Sequence, residues 1–229
     1  MLSRIRAFIF VVQFPISVFI VVVLMFLFRK HNSKFRHKWG VLQRFFVGYK
    51  QNIIGTIDKR ASIFVINHQS LLDIAILEDV HCLDIAWCAK KELFDNLITR
   101  PVLTLPNMIR VDRSDKRAIV KLIGDVKDRL KDNRVIAIFP EGTRGNGNKL
   151  LEFQLGAKIL AEKLDLIIQP VVINGVKDVF DMKKFKINSG KIDISFMPIV
   201  YPNSSENWYD CLYKSMQEEL SNLKNKEQI

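Results

Sequence analysis

The hydrophobic pattern of the chain changes character twice. Across residues 7–28 nothing is charged, and only Gln13 and Ser17, with Pro15 between them, interrupt the apolar run. At about 1.5 Å per residue, a helix of that length can cross a hydrocarbon core of roughly 30 Å. Val41, Leu42, Phe45, Phe46 and Tyr49 then recur at helical spacing among Lys38, Arg44 and Lys50. They predict a second, shorter amphipathic helix over 39–49, suited either to the membrane interface or to packing on a globular core. From residue 55 the pattern alternates. Short apolar runs at 62–66, 84–89, 108–111, 134–139, 166–173 and 191–196 predict strands. Helices are predicted between them at 71–78, at 91–99 (stopping before Pro101), at 116–131 and at 153–164. Trp208, Leu212, Met216 and Leu220 mark a last amphipathic helix. This alternation predicts an α/β fold, a mostly parallel mixed sheet flanked by helices, behind an N-terminal membrane-embedded helical segment. The division expected is residues 1–50 for the membrane-anchoring helices and 51–229 for the α/β domain. With 229 residues, 48% of them hydrophobic, the chain suffices for one such domain with a full core.

Charge sharpens this division. The net charge is +11, and residues 1–50 carry nine Lys or Arg and no acid, which leaves only +2 for the rest. A basic segment beside an apolar one points to an anionic phospholipid surface and away from nucleic acid. The apolar run is long for a signal-peptide core and no small-residue cleavage site follows it, so it reads as an anchor. Two membrane readings stay open. The segment spans once, with the basic cluster at 29–38 placing the rest on the cytoplasmic face, or it bends at Pro15 and dips into one leaflet. Cys82, Cys88 and Cys211 form no metal or redox spacing and suit a reducing compartment.

The candidate chemistry begins at Asn67-His68-Gln69-Ser70-Leu71-Leu72-Asp73. Here a strand gives way to a helix, which is where open α/β sheets place their chemistry. A His oriented by a carboxylate takes a proton from a hydroxyl. Residues five apart on a helix face different ways, so His68 and Asp73 meet only if the turn bends His68 back. The same residues also fit a capping box, with Ser70 and Asp73 closing a helix start. A second stretch, Phe139-Pro140-Glu141-Gly142-Thr143-Arg144, follows a strand and opens a Gly- and Asn-rich loop. Pro140 ends the ladder and Gly142 permits a turn other residues resist. Backbone N–H groups and Arg144 there suit a phosphate. Asn148 breaks the Gly-Lys pair of a nucleotide-binding P-loop, and no Ser or Thr follows Lys149. No residue set suggests a metal.

The His68-to-Asp73 stretch resembles the H-x-x-x-x-D motif of the glycerolipid acyltransferases, the family of the 1-acylglycerol-3-phosphate acyltransferases. Phe139 to Arg144 matches that family's F-P-E-G-T-R block without a mismatch. Ala89-Lys90-Lys91-Glu92-Leu93 is similar to its A-K-x-E-L segment. Val111-Asp112-Arg113 is similar to the end of its G-x-x-F-I-D-R block, and Gln169-Pro170-Val171-Val172-Ile173 resembles its proline-bearing strand. Phe153, Gly156 and Ala157 fit the helix between. The resemblance covers about residues 55–173. One departure is Asn107 in place of the glycine that opens the second block, although Asn tolerates a left-handed backbone better than most residues.

The resemblance implies transfer of a fatty acyl group from a thioester, acyl-CoA or acyl carrier protein, to the hydroxyl of lysophosphatidic acid, with no bound cofactor. His68 would be the general base and Asp73 its orienting partner. Lys90, Arg113 and Arg144 would hold the acceptor phosphate, with Gly142 and Thr143 in the same loop. Arg110 is an extra cation beside Arg113. Glu141 would orient Arg113 or Arg144, or bond a glycerol hydroxyl. Other acceptors (glycerol-3-phosphate or another lysolipid), a noncatalytic lipid-binding protein, and a covalent route through Ser70, Cys82 or Cys88 are the alternatives.

Overall fold

The computed structural model describes residues 2–80, 83–112 and 118–226. The uncharged N-terminal run forms one continuous helix, α1 (Leu2–Leu27), with Pro15 inside it. A 3-10 turn at Arg29–His31 leads into α2 (Asn32–Val47), which starts seven residues before the expected Trp39. Gly48 ends α2 with φ 77°, a left-handed conformation in which its N–H caps the Arg44 carbonyl. Tyr49, expected at the end of that helix, instead begins a strand, β1 (Tyr49–Gly55). Lys50, Gln51 and Asn52 make β1 polar, so it lacks the apolar run that marks an inner strand. A division after residue 50 falls inside β1.

The central elements follow the alternation read from sequence. They are β2 (Ile63–Ile66), α3 (Leu72–Val80), β3 (Ile85–Lys90), α4 (Lys91–Asp95) and α5 (Arg100–Thr104). The helix expected at 91–99 is thus two short ones, and Pro101 lies in the first turn of α5, where its missing N–H has no partner to lose. Next come β4 (Ile109–Val111), α6 (Ala118–Lys131), β5 (Val135–Ile138), α7 (Leu155–Leu164) and β6 (Ile168–Asn174). The unanticipated α8 (Val176–Val179) and the hairpin β7 (Phe180–Asp181) with β8 (Lys186–Ile187) precede β9 (Gly190–Phe196) and α9 (Trp208–Lys226). The seven-stranded sheet has order β1-β9-β6-β2-β5-β3-β4. Strands β6, β2, β5, β3 and β4 run parallel; β9 is antiparallel to β6 and carries β1 parallel to itself.

Every residue of β2 is buried, as an inner strand covered on both faces requires. Phe64 and Ile66 face α3, Trp87 and the Ala7 and Phe10 side chains of α1. Ile63 and Val65 face α6, α7 and α9 through Leu122, Leu160 and Met216. Helix α2 packs inside out, whereas α1 buries mainly apolar residues. On α2 the buried residues are Arg36, Gly40, Gln43 and Val47, whereas Phe45 is 79% exposed. A Cβ on Gly40 would lie 2.6 Å from the Asp79 backbone nitrogen, so glycine lets α2 touch α3 there. Arg36 pairs with Glu78 and Asp84, and Arg44 with Asp79 at 3.0 Å. Arg36 of the basic N-terminal segment is therefore bonded inside the protein, whereas Arg44 is 41% exposed and reaches inward to a buried carboxylate.

Candidate active site

The C-terminal ends of the parallel strands β2, β3, β4, β5 and β6 share one edge of the sheet, and the sequence motifs converge there. Past β2 the chain turns before α3 begins, and the turn folds His68 back over the helix start. His68 Nδ1 lies 2.8 Å from Asp73 Oδ2. The same oxygen accepts the backbone N–H groups of Gln69 at 2.7 Å and Ser70 at 2.9 Å. Asp73 is fully buried, and its Oδ1 has no hydrogen-bond partner among the described residues. Ser70 Oγ accepts the Leu72 N–H at 3.2 Å. The capping arrangement and the His–Asp contact therefore coexist: one carboxylate oxygen closes the helix start and orients the imidazole. A carboxylate only accepts, so Nδ1 is the donor in this contact. No described residue bonds Nε2, and the His68 side chain is 15% exposed.

The residues flanking His68 are fixed by amides that sequence reasoning passed over. Asn67 donates to the Ile173 carbonyl at 2.9 Å and accepts the Ile173 N–H at 2.7 Å, so its side chain pairs with β6 like another peptide. Gln69 donates to the same carbonyl at 2.8 Å. The signal available in sequence was two amides bracketing a histidine at a strand end, where backbone groups leaving the ladder need partners.

Glu141 bonds backbone groups, and the expected pairing with Arg113 falls on a residue outside the described ones. Glu141 is 5% exposed, and its two oxygens accept the backbone N–H groups of His68 at 2.7 Å and Leu151 at 2.8 Å. It makes no salt bridge with Arg144. Gly145 N–H donates to the His68 carbonyl at 2.8 Å, so the loop grips His68 from both sides of its peptide unit. Burial pushes the Glu141 carboxyl above its ordinary range, against the two N–H groups that favour the anion. Gly142 has φ 68°, the left-handed turn its position required, and its N–H reaches the Phe139 carbonyl at 3.1 Å. The far end of the loop is tied to α9. Gln217 accepts the Leu150 N–H at 2.8 Å, and the Tyr209 hydroxyl donates to the Gln154 carbonyl at 2.8 Å.

Beneath the imidazole runs an aromatic column. The Phe139 ring lies 3.9 Å from that of His68, tilted by 14°, and Trp87 stacks on Phe139 at 5.4 Å. Trp87 Nε1 donates to Glu78 Oε1 at 2.8 Å. Burial raises the pKa of Glu78, and Arg36 opposes the rise.

The cations are placed differently. Arg144 and Thr143 are exposed in the loop, and Lys90 is exposed at the end of β3. Neither Arg144 nor Lys90 has an ion-pair partner among the described residues. Strand β5 lies between β2 and β3, so Lys90 sits two strands from His68, about 10 Å away at the usual strand spacing. Lys91, its neighbour, is bonded to Asp112 at 2.8 Å. Arg110 pairs with Asp95 at 3.0 Å. Arg113 and Cys82 lie outside the described residues. Asn107 adopts φ 52°, the left-handed conformation that glycine would have taken. Burial pushes the Cys88 thiol up to about 12, which leaves it protonated and a poor nucleophile.

Residues 44–174 match the family model described as Acyltransferase. Over 210 residues the chain is 40% identical to a protein of Helicobacter pylori named 1-acyl-sn-glycerol-3-phosphate acyltransferase, covering 89% of this chain and 88% of that one. The human 1-acyl-sn-glycerol-3-phosphate acyltransferase beta is 29% identical over 147 residues, 62% of this chain and 52% of the human protein. The chain therefore spans most of the bacterial relative and about half of the human one. Its fold is similar to the crystal structure of the 1-acyl-sn-glycerophosphate (LPA) acyltransferase, PlsC, from Thermotoga maritima. The TM-score is 0.76 at 23% identity, with 96% of this chain and 94% of that chain covered.

Proposed function

The chain belongs to the acyltransferase family, and from that premise we propose that it acylates the sn-2 hydroxyl of 1-acylglycerol-3-phosphate, giving phosphatidic acid. The observation that carries the mechanism is His68 Nδ1 bonded to buried Asp73 with Nε2 left open at the sheet edge. Nε2 takes the proton of the acceptor hydroxyl while the oxygen attacks the thioester carbonyl. The tetrahedral intermediate then expels the thiolate, which receives that proton from the imidazolium. The new C–O bond replaces the C–S bond. Asp73 fixes the tautomer and balances the transient positive charge. A general base supplies roughly 10²–10⁴ in rate, so oxyanion stabilisation and positioning supply the rest.

The backbone N–H groups of His68, Gln69 and Ser70 already bond Glu141 and Asp73. Those of Thr143 and Arg144 have no partner among the described residues, which supports a role in holding the oxyanion or the phosphate. Arg144 and Lys90 hold the phosphate, with Arg113 as the third cation. The donor is an acyl thioester, of coenzyme A or acyl carrier protein, acting as co-substrate.

The acceptor is a membrane lipid, and α1 supports a membrane location. It is long and apolar enough to cross a membrane, yet it is docked along the domain. Phe10 meets Phe180 edge to face at 4.8 Å, Phe14 meets Trp39 edge to face at 5.7 Å, and Gln13 bonds Gln43 at 2.9 Å. Phe8 and Phe19 point outward, 63% and 68% exposed. A helix held on one side by protein and bare on the other favours lying in one leaflet over spanning the bilayer, and the basic cluster at 29–38 supports the cytoplasmic face for the domain.

The test is phosphatidic acid formation by purified protein from lysophosphatidic acid and each thioester, with glycerol-3-phosphate and other lysolipids in competition. Product from lysophosphatidic acid, lost in His68→Ala, is the expected result. Faster acylation of another acceptor overturns the acceptor assignment, and no acylation of any acceptor overturns the mechanism.

A further inference from the structure

The turn between α4 and α5 presents the two barest large apolar side chains of the described protein. Leu97 and Ile98 are each 83% exposed, and Leu93 beside them is 43% exposed. The turn is ordered by its own bonds. Asn96 Oδ1 accepts the N–H groups of Ile98 at 2.9 Å and Thr99 at 3.3 Å, and the Thr99 hydroxyl donates to the Leu93 carbonyl at 2.6 Å. Phe94 anchors α4 in the interior. Two neighbouring apolar residues on a built turn, with nothing of the protein against them, call for an apolar partner.

We propose that this turn is a second membrane contact, inserting Leu97 and Ile98 into the leaflet that holds α1. The inference rests on the membrane reading of α1. Three observations commit the partner to a bilayer. First, α5 packs against α1, and Asn32, at the start of α2, bonds the Leu105 carbonyl just past α5 at 3.1 Å. The turn therefore belongs to the same end of the molecule as the exposed Phe26, Leu27 and Phe28. Second, the flanking cations Arg29, Lys30, Lys34 and Arg100 have no ion-pair partner among the described residues, which suits anionic headgroups around an apolar tip. Third, α4 starts immediately after Lys90 and its five residues span about 7.5 Å. A tip seated roughly 5–10 Å into the headgroup and acyl boundary would hold Lys90 at the depth of the headgroups. The lysolipid phosphate would then meet Lys90 without leaving the leaflet.

The experiment uses the full chain with vesicles of phosphatidylcholine and phosphatidylglycerol. Ile98→Trp is compared with wild type for fluorescence quenching by brominated acyl chains. Leu97→Ser/Ile98→Ser is assayed on lysophosphatidic acid in those vesicles and on a short-chain, water-soluble analogue. Both side chains are exposed, so neither substitution removes core packing. The expected result is added quenching in Ile98→Trp and an apparent KM raised about tenfold or more for the vesicle-borne acceptor, with turnover of the soluble analogue unchanged. Absence of added quenching, while wild type still floats with vesicles, overturns the proposal and leaves the membrane reading of α1 standing. Wild type that fails to float overturns both. A defect seen only with acyl carrier protein thioesters, or a changed oligomeric state in the double variant, overturns the proposal in favour of a protein partner at this turn.

Discussion

Two sets of charged groups meet at the edge of the sheet that carries the candidate active site, and they are treated in opposite ways. Asp73 and Glu141 are buried, and between them their oxygens hold the His68 ring, the His68 N–H and three further backbone N–H groups. Lys90 and Arg144 are exposed and unpaired among the described residues. A buried carboxylate without partners costs several kcal/mol, so acids in this interior must be bonded to protein. A cation meant for a phosphate gains by staying unpaired, because no internal bond has to break before substrate binds. The contrast teaches that the acids build the site and that, under the proposed function, the cations are left free for the substrate.

The widest test of that contrast is at the acids. His68→Ala and Asp73→Asn should each lower turnover by about 10⁴, the scale known for losing the Asp of a serine-protease triad, and the double variant should be little worse than either. Turnover read beside melting temperature decides the matter. If Asp73→Asn keeps more than about a tenth of wild-type turnover, Asp73 is only a helix cap. The cations predict a different signature. Arg144→Ala should raise the acceptor KM roughly ten- to hundredfold, as expected for a lost charge-assisted bond of about 1.5–3 kcal/mol, and leave the donor KM near wild type. A fall in kcat with both KM values unchanged would place Arg144 with the acids as a builder of the site.

The aromatic column should matter less. Phe139→Leu keeps the apolar volume but removes the ring beneath His68, and kcat should fall about two- to tenfold at unchanged KM. The smallest kinetic effect is expected for Ser70→Ala. It should cost about 0.5–2 kcal/mol in stability, with activity per folded molecule retained. The pH dependence of stability separates Glu141 from the cations. Its folded pKa lies above the ordinary 4.5, so the folded state binds the proton more tightly than the unfolded one. Glu141 thus makes unfolding free energy fall as pH rises from about 4.5 through that raised value. Melting temperatures from about pH 4 to about pH 7 should decline less steeply in Glu141→Gln than in wild type. An unchanged slope would mean that Glu141 is not desolvated as the structure has it.

The sequence by itself determined the inner part of the protein. Val65, Ile136 and Val172 lie in runs too apolar for anything but strands covered on both faces, and their alternation with amphipathic helices required a mostly parallel sheet. His68 and Asp73 were legible because their spacing crosses a strand-to-helix turn, and Gly142 because a left-handed backbone selects glycine. Tertiary structure alone decided what depends on partners distant in sequence. Strand β1 is polar and exists because β9 offers a free edge to pair with. Glu141 reads locally as a loop acid, and only the approach of β2 to β5 brings the His68 N–H, 73 residues away, onto its carboxylate. Arg36 reads as one more cation for lipid until Glu78 and Asp84 are found beneath α2. The physical reason is the same in each case. Hydrophobic periodicity reports which side of an element is buried, whereas a hydrogen bond or ion pair is set by the element that happens to lie opposite.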